Sequence, residues 1–280
     1  RSYRKKLREN SLFILTSIRL NRLHRYCFLN DNPYSVKFIN SKYSTGDKRV
    51  FIGFHELGIE TRIYTILKEV NCQEVGVVGA NREVILNLIK TFGRGLPIEV
   101  VNDEFTVGDI KFYICPIEEG INNYNKLINL INKKIPVVLL YDELLYFEPR
   151  EILDENGEIK DKAKFFIYKH NGRPMLVMSS YILYILQKTG AKGIPVYVHR
   201  QKDGRDKVVF GKPITIPKGE KISTCGQKAF DMLFEFMFEN VLSNSWGWIG
   251  RRYIEKQIVV LWGRQKRYVP VQSLSVDKEY

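Results

Sequence analysis

The residues best suited to chemistry in this chain are His55 and Glu60, within Gly53-Phe54-His55-Glu56-Leu57-Gly58-Ile59-Glu60. The run Arg49–Phe54 (RVFIGF) reads as a buried strand that delivers His55 to the start of the next helix. In open α/β sheets that point lies at the carboxyl edge of the strands, where ligands bind. Glu60 follows five residues later and reaches the imidazole if the first helical turn is irregular. A carboxylate on one ring nitrogen fixes the tautomer and raises the basicity of the other. The free nitrogen then takes a proton from an alcohol or amine attacking a thioester carbon. A His near a Glu is also a common structural pairing, so spacing alone leaves both readings open. His24, His170 and His199 have no evident ligand partners, and no metal is expected.

The elements that must position this pair follow from the apolar pattern. A helix is expected over Glu56–Val70, a strand at Val75–Val78, a helix near Arg82–Phe92 and a strand at Ile98–Val101. A helix over Tyr124–Asn132 leads to the strongest strand, Ile135–Tyr141, continuously apolar and suited to burial on both faces. Residues 150–163 are charged, contain Asn156-Gly157, and read as a loop. Then come a strand at Phe165–Tyr168, a helix over Ser179–Lys188 stopped by Gly190, and strands Pro195–Arg200 and Lys207–Phe210 joined by Asp203-Gly204. A long helix covers about Gln227–Leu242. Strands alternating with helices predict an α/β domain: a mainly parallel central sheet flanked by helices. The expected organisation is a basic amphipathic helix over 1–30, the main domain over 31–256, and a strand with a polar tail over 257–280.

The 44 Lys and Arg against 31 Asp and Glu leave a net charge of +13, which favours an acidic partner: a membrane surface, a carrier protein, a phosphorylated cofactor or nucleic acid. In residues 1–30, Leu7, Leu12, Ile14, Leu15, Ile18 and Leu23 form an apolar face among many Arg and Lys. That suits a helix on an anionic membrane, or one packed on the domain. No apolar run reaches the ~18 residues of a membrane span, and no cleavable signal peptide is visible. Cys27, Cys72, Cys115 and Cys225 lack metal or CxxC spacing and are expected to be free thiols.

Arg94 and Arg173 sit between Gly93 and Gly95 and between Gly172 and Pro174. A guanidinium there binds phosphate bidentately or is a solvated turn residue. Asp142 and Glu143 end the strongest strand and either order the site or cap the structure. Trp246, Trp248, Arg251, Arg252 and Tyr253 suit a membrane interface or plain packing.

His55, four intervening residues and Glu60 after a short strand resemble the lipid A biosynthesis (lauroyl/myristoyl) acyltransferase family, a branch of the wider lysophospholipid acyltransferases. Asn81-Arg82 with Gly93-Arg94 resembles that family's second block, where a basic residue holds the thioester donor or acceptor phosphate. Val137–Tyr141 with Asp142, Phe165-Phe166 with Gly172-Arg173-Pro174, Thr189-Gly190-Ala191 with Ile194-Pro195-Val196, and the Trp246–Tyr253 cluster resemble later blocks in order. The resemblance spans about residues 35–255.

It implies an acyltransferase-like fold and transfer of a fatty acyl group from acyl-CoA or an acyl carrier protein to a hydroxyl or amine of a lipid-like acceptor. His55 is then the general base, Glu60 its orienting partner, and Arg82, Arg94, Asp142 and Arg173 bind substrate. No cofactor beyond the thioester co-substrate is implied. The chain is expected to be cytoplasmic and peripherally membrane-associated. The rival readings are a non-catalytic lipid- or partner-binding member of the same family and a basic nucleic-acid-binding protein. The latter lacks a recognisable binding motif, so nucleic acid is not an expected partner.

Overall fold

A computed structural model describes residues 36–53, 59–79, 81–83, 85–86, 97–101, 104–140, 160, 165–170, 173–200 and 206–241. Eleven strands and four α-helices lie within them. The strands are β1 (Lys37–Ile39), β2 (Arg49–Gly53), β3 (Glu74–Gly79), β4 (Ile98–Val101), β5 (Glu104–Val107), β6 (Ile110–Pro116), β7 (Val137–Leu140), β8 (Phe165–His170), β9 (Arg173–Ser179), β10 (Lys192–Arg200) and β11 (Asp206–Phe210). The helices are α1 (Ile59–Glu69), α2 (Ile121–Asn132), α3 (Tyr181–Thr189) and α4 (Ile222–Val241).

Nine strands form one sheet in the order β1-β11-β10-β2-β7-β3-β6-β5-β4, and β8 pairs with β9 apart from it. The expectation of a mainly parallel sheet holds for the centre. The five strands β10, β2, β7, β3 and β6 are mutually parallel. The flanks depart from it: β11 is antiparallel to β10, and β4, β5 and β6 form an antiparallel meander. Parallel neighbours need long crossovers, and antiparallel ones close through tight turns. The short links 102–103 and 108–109 therefore select the antiparallel flank.

Side-chain alternation sorts the core into two layers. Val50 and Ile52 of β2, Val137 and Leu139 of β7, and Val78 of β3 face α2, α3 and α4. Phe51, Val138, Leu140, Val75 and Val77 face α1. This explains why the apolar run at β7 has no polar alternation: every residue of Val137–Leu140 is buried.

α2 and α3 run side by side, and one cation ties their carboxyl ends together. Lys48 Nζ donates to Asn132 Oδ1 at 2.8 Å and to the Thr189 carbonyl at 3.1 Å. A positive charge there complements both helix dipoles. Gly190 closes α3 at φ 66°, and its N–H donates to the Leu186 carbonyl at 2.8 Å. A left-handed cap of this kind favours glycine, so the expected stop is present.

α4 approaches the β8–β9 hairpin through Gly226. A Cβ at that position would lie 2.5 Å from Phe166 Cζ. The Phe166 ring in turn sits 5.8 Å from Phe230, which sits 4.5 Å from Phe234. This aromatic stripe of α4 is core, as its helical spacing suggests.

Several boundaries move by a few residues. α2 begins at Ile121 rather than Tyr124, α4 at Ile222 rather than Gln227, and β10 at Lys192 rather than Pro195. Strands β1, β5, β6 and β9 lie where no element was expected. The expected basic helix over 1–30 and the tail over 257–280 lie outside the described residues. Among the described residues, no helix is long and apolar enough to cross a membrane.

Candidate functional site at the carboxyl edge of the sheet

The five parallel strands all end on one edge. Gly53 pairs with Leu140, and Gly79 with Pro116, so the exits of β2, β7, β3 and β6 lie in a row. The exits diverge. From β2 the chain passes through α1, on one face, to β3. From β6 it passes through α2, on the other face, back to β7. Beyond β7, the helix that precedes β10 is α3, on the same face as α2. Travelling in opposite directions on opposite faces gives these crossovers one common hand. Among the described residues, the first helix after β2 and the first helix after β7 thus lie on opposite faces. That makes their shared end a switch point, the position at which open α/β sheets leave a crevice for ligands.

The candidate residues relate to this edge in different degrees. His55 belongs to the connection 54–58 between β2 and α1 and lies outside the described residues, as do Arg94 and Asp142. Glu60 is the second residue of α1, placed by its backbone at the helix start. Arg82 lies just beyond β3, and its backbone N–H donates to Glu118 Oε1 at 3.2 Å. That bond joins the loops leaving β3 and β6 at the same edge. Arg173 opens β9, paired with His170 in the hairpin, so it is a strand residue rather than a turn residue.

Two groupings went unread in the sequence. Arg62, in the first turns of α1, forms an ion pair with Asp206 at the start of β11, with side chains 5% and 0% exposed. Asp206 pairs in register with Arg200, the last residue of β10, so this pair also lies toward the carboxyl edge. The second grouping is Asn123, Tyr124 and Tyr181 at the starts of α2 and α3. The two tyrosine rings are tilted at 57° with centroids 6.0 Å apart. Burial pushes the Tyr181 hydroxyl up to about 12, with Cys115 adding to the rise. Burial likewise pushes the Cys115 thiol up to about 12. Asn123 had a signal in the sequence: it begins a stripe with Leu127 and Ile131, a polar residue in line with an apolar face.

Cys72 and Cys115 are buried free thiols, and Cys225 is half-buried. Cys27 lies outside the described residues.

No family model matches this chain, and no curated protein sequence matches it. Among solved structures it is similar to the 1-acyl-sn-glycerophosphate (LPA) acyltransferase PlsC from Thermotoga maritima. The identity is 10%, the match covers 80% of this chain and 79% of that chain, and the TM-score is 0.37. The functional reading below therefore rests on this chain's own residues and topology.

Proposed function

We propose that this chain transfers a fatty acyl group from a thioester, acyl-CoA or an acyl carrier protein, to a hydroxyl or amine of a lipid-like acceptor. The observation that carries the reading is the position of the β2–α1 connection. A sequence with His55 and Glu60 five residues apart spans the exit of a central parallel strand, at the switch point of the sheet. A histidine there meets a ligand in the crevice, and a carboxylate at the helix start is near enough in sequence to orient it.

In this mechanism Glu60 holds one imidazole nitrogen of His55, and the other takes the proton of the acceptor as it attacks the thioester carbonyl. The tetrahedral oxyanion collapses and expels the thiolate, which recovers a proton from the imidazolium. Backbone N–H groups at the start of α1 suit the developing negative charge, because the first turn of a helix leaves its donors unpaired. Arg82 and Arg94 follow β3 in sequence and supply positive charge for a phosphorylated donor or acceptor. Asp142 follows β7 and orders the facing side of the crevice. Arg173 binds substrate from the hairpin. The net charge of +13 draws in acidic carriers and anionic membrane surfaces.

The test is thioester consumption with a panel of acyl-CoA and acyl carrier protein donors against lipid acceptors, followed by mass spectrometry of the product. Acyl transfer that depends on His55 supports the reading. Absence of transfer with every donor, alongside tight retention of lipid, points to a binding protein instead.

A further inference from the structure

α2 (INNYNKLINLIN) and α3 (YILYILQKT) contain no acidic residue at all. The 31 Asp and Glu of the chain fall elsewhere; α4, for comparison, carries Asp231, Glu235 and Glu239. α2 buries a stripe of Asn123, Leu127, Leu130 and Ile131 against the sheet. Its exposed positions Asn122, Asn125 and Asn129 are neutral. Among them Ile121 stands 68% exposed, and Tyr184 of α3 is 38% exposed.

These side chains fall into two strips. Ile121, Tyr124 and Ile128 follow one another three and four residues apart, and so do Tyr181, Tyr184 and Lys188. Such spacings keep each set on one side of its helix. The Tyr124–Tyr181 ring contact at one end of the helices and the Lys48 bridge at the other set the strips side by side. At the bridged end Lys133 and Lys188 are exposed. The nearest acids before α2 are Glu118 and Glu119 in the preceding turn, and Glu118 accepts the Arg82 N–H.

We infer that this α2–α3 face rests on an anionic lipid bilayer, with Ile121 and the tyrosines at the interface and Lys133 and Lys188 against the headgroups. Tyrosine and isoleucine among uncharged amides suit the boundary between headgroup and acyl chain, and lysine adds attraction to anionic lipid. An acidic protein would call for cations opposite its carboxylates, whereas most outer positions here are neutral. A second copy fits no better: a two-fold interface sets the face against itself, and neither helix has an acid to answer Lys133 or Lys188. Both helices begin toward the carboxyl edge, so docking brings the switch point to the membrane surface. Only the consequence that a lipid-like acceptor then lies close at hand rests on the acyl-transfer reading.

The experiment is flotation of the full chain with vesicles of phosphatidylcholine alone and of equal parts phosphatidylcholine and phosphatidylserine. Binding should be stronger to the anionic vesicles and fall with added salt. Ile121→Asn and Lys188→Gln, both at exposed positions, should keep the parent's melting temperature and weaken anionic-vesicle binding about five- to tenfold each. Val100→Asn with Val101→Asn removes exposed apolar residues from the β4 edge and should leave binding unchanged. No binding, equal binding to both vesicles, undiminished binding in Ile121→Asn and Lys188→Gln, or an equal loss in the β4 variant overturns the assignment. So does a dimer, seen by sedimentation without vesicles, that Ile121→Asn dissociates. If vesicle binding behaves as expected but no donor supports transfer, the proposed activity fails and this face stands. Transfer to a detergent-dispersed acceptor without vesicle binding is the reverse outcome.

Discussion

Arg62 Nε donates to Asp206 Oδ2 at 2.6 Å, with both side chains almost removed from water. The bond ties the first turns of α1 to the start of β11, across a distance of 144 residues in sequence. Glu60 lies two residues before Arg62 on the same helix, so the pair fixes the amino end of the helix that carries the proposed orienting carboxylate.

Breaking that pair from one side leaves a charge buried without its partner. Arg62→Leu or Asp206→Leu alone should cost about 3–5 kcal/mol of stability. The double Leu variant removes both charges and should recover most of the loss, because a buried ion pair gains little net energy after desolvation. Urea denaturation of the three variants checks this; single variants as stable as the parent would contradict it.

Alkaline pH should unfold the protein early. The Cys115 thiol has an ordinary value of 9.0 and the Tyr181 hydroxyl of 10.0, and burial raises each to about 12. Below pH 9 the folded and unfolded chains hold these protons equally. Above it the unfolded chain releases them first, so stability falls as pH rises, by up to about 1.4 kcal/mol per pH unit for each group. Cys115→Ala should make the fall between pH 9 and 10 shallower, read from urea midpoints at each pH. An identical slope in that variant would contradict the assignment. Cys72, also raised by burial, contributes in the same direction.

Gly226 is a contact rather than a hinge. Adding a methyl group there drives it into the Phe166 ring, so Gly226→Ala should cost about 1–3 kcal/mol despite its better helix propensity. Phe166→Leu in the same chain should return part of the loss by vacating the ring tip. Thermal melts of the single and double variants decide it.

The central strands were legible because β2, β3 and β7 are continuous apolar runs, the pattern of strands covered on both faces. Gly190 marked the end of α3, and the two strands flanking Asp203-Gly204 pair antiparallel as a hairpin requires. The flank was harder. In β6, Ile110, Phe112 and Ile114 point into the core layer beneath α1 while Lys111 and Tyr113, both half-buried, lie on the opposite face, so its strand character lies in a period of two rather than in an apolar run. β5 has only four residues, two of them polar. β9 begins with Arg173-Pro174, which reads as a turn until its partner strand is known; Pro174 tolerates an edge position better than a central one. The site divides the same way. The strand-to-helix position of His55 and Glu60 is a local pattern. The Arg62–Asp206 and Asn123–Tyr181 pairings join segments 144 and 58 residues apart, and only the sheet order brings them together.

The most direct measurement is the rate of acyl transfer from a thioester donor by the parent, His55→Ala and Glu60→Gln, each shown folded by circular dichroism. Removing a general base should reduce transfer by about 10²–10⁴-fold, and removing its orienting carboxylate should cost less and alter the pH–rate profile. Undiminished transfer in folded His55→Ala would contradict the assignment of the base.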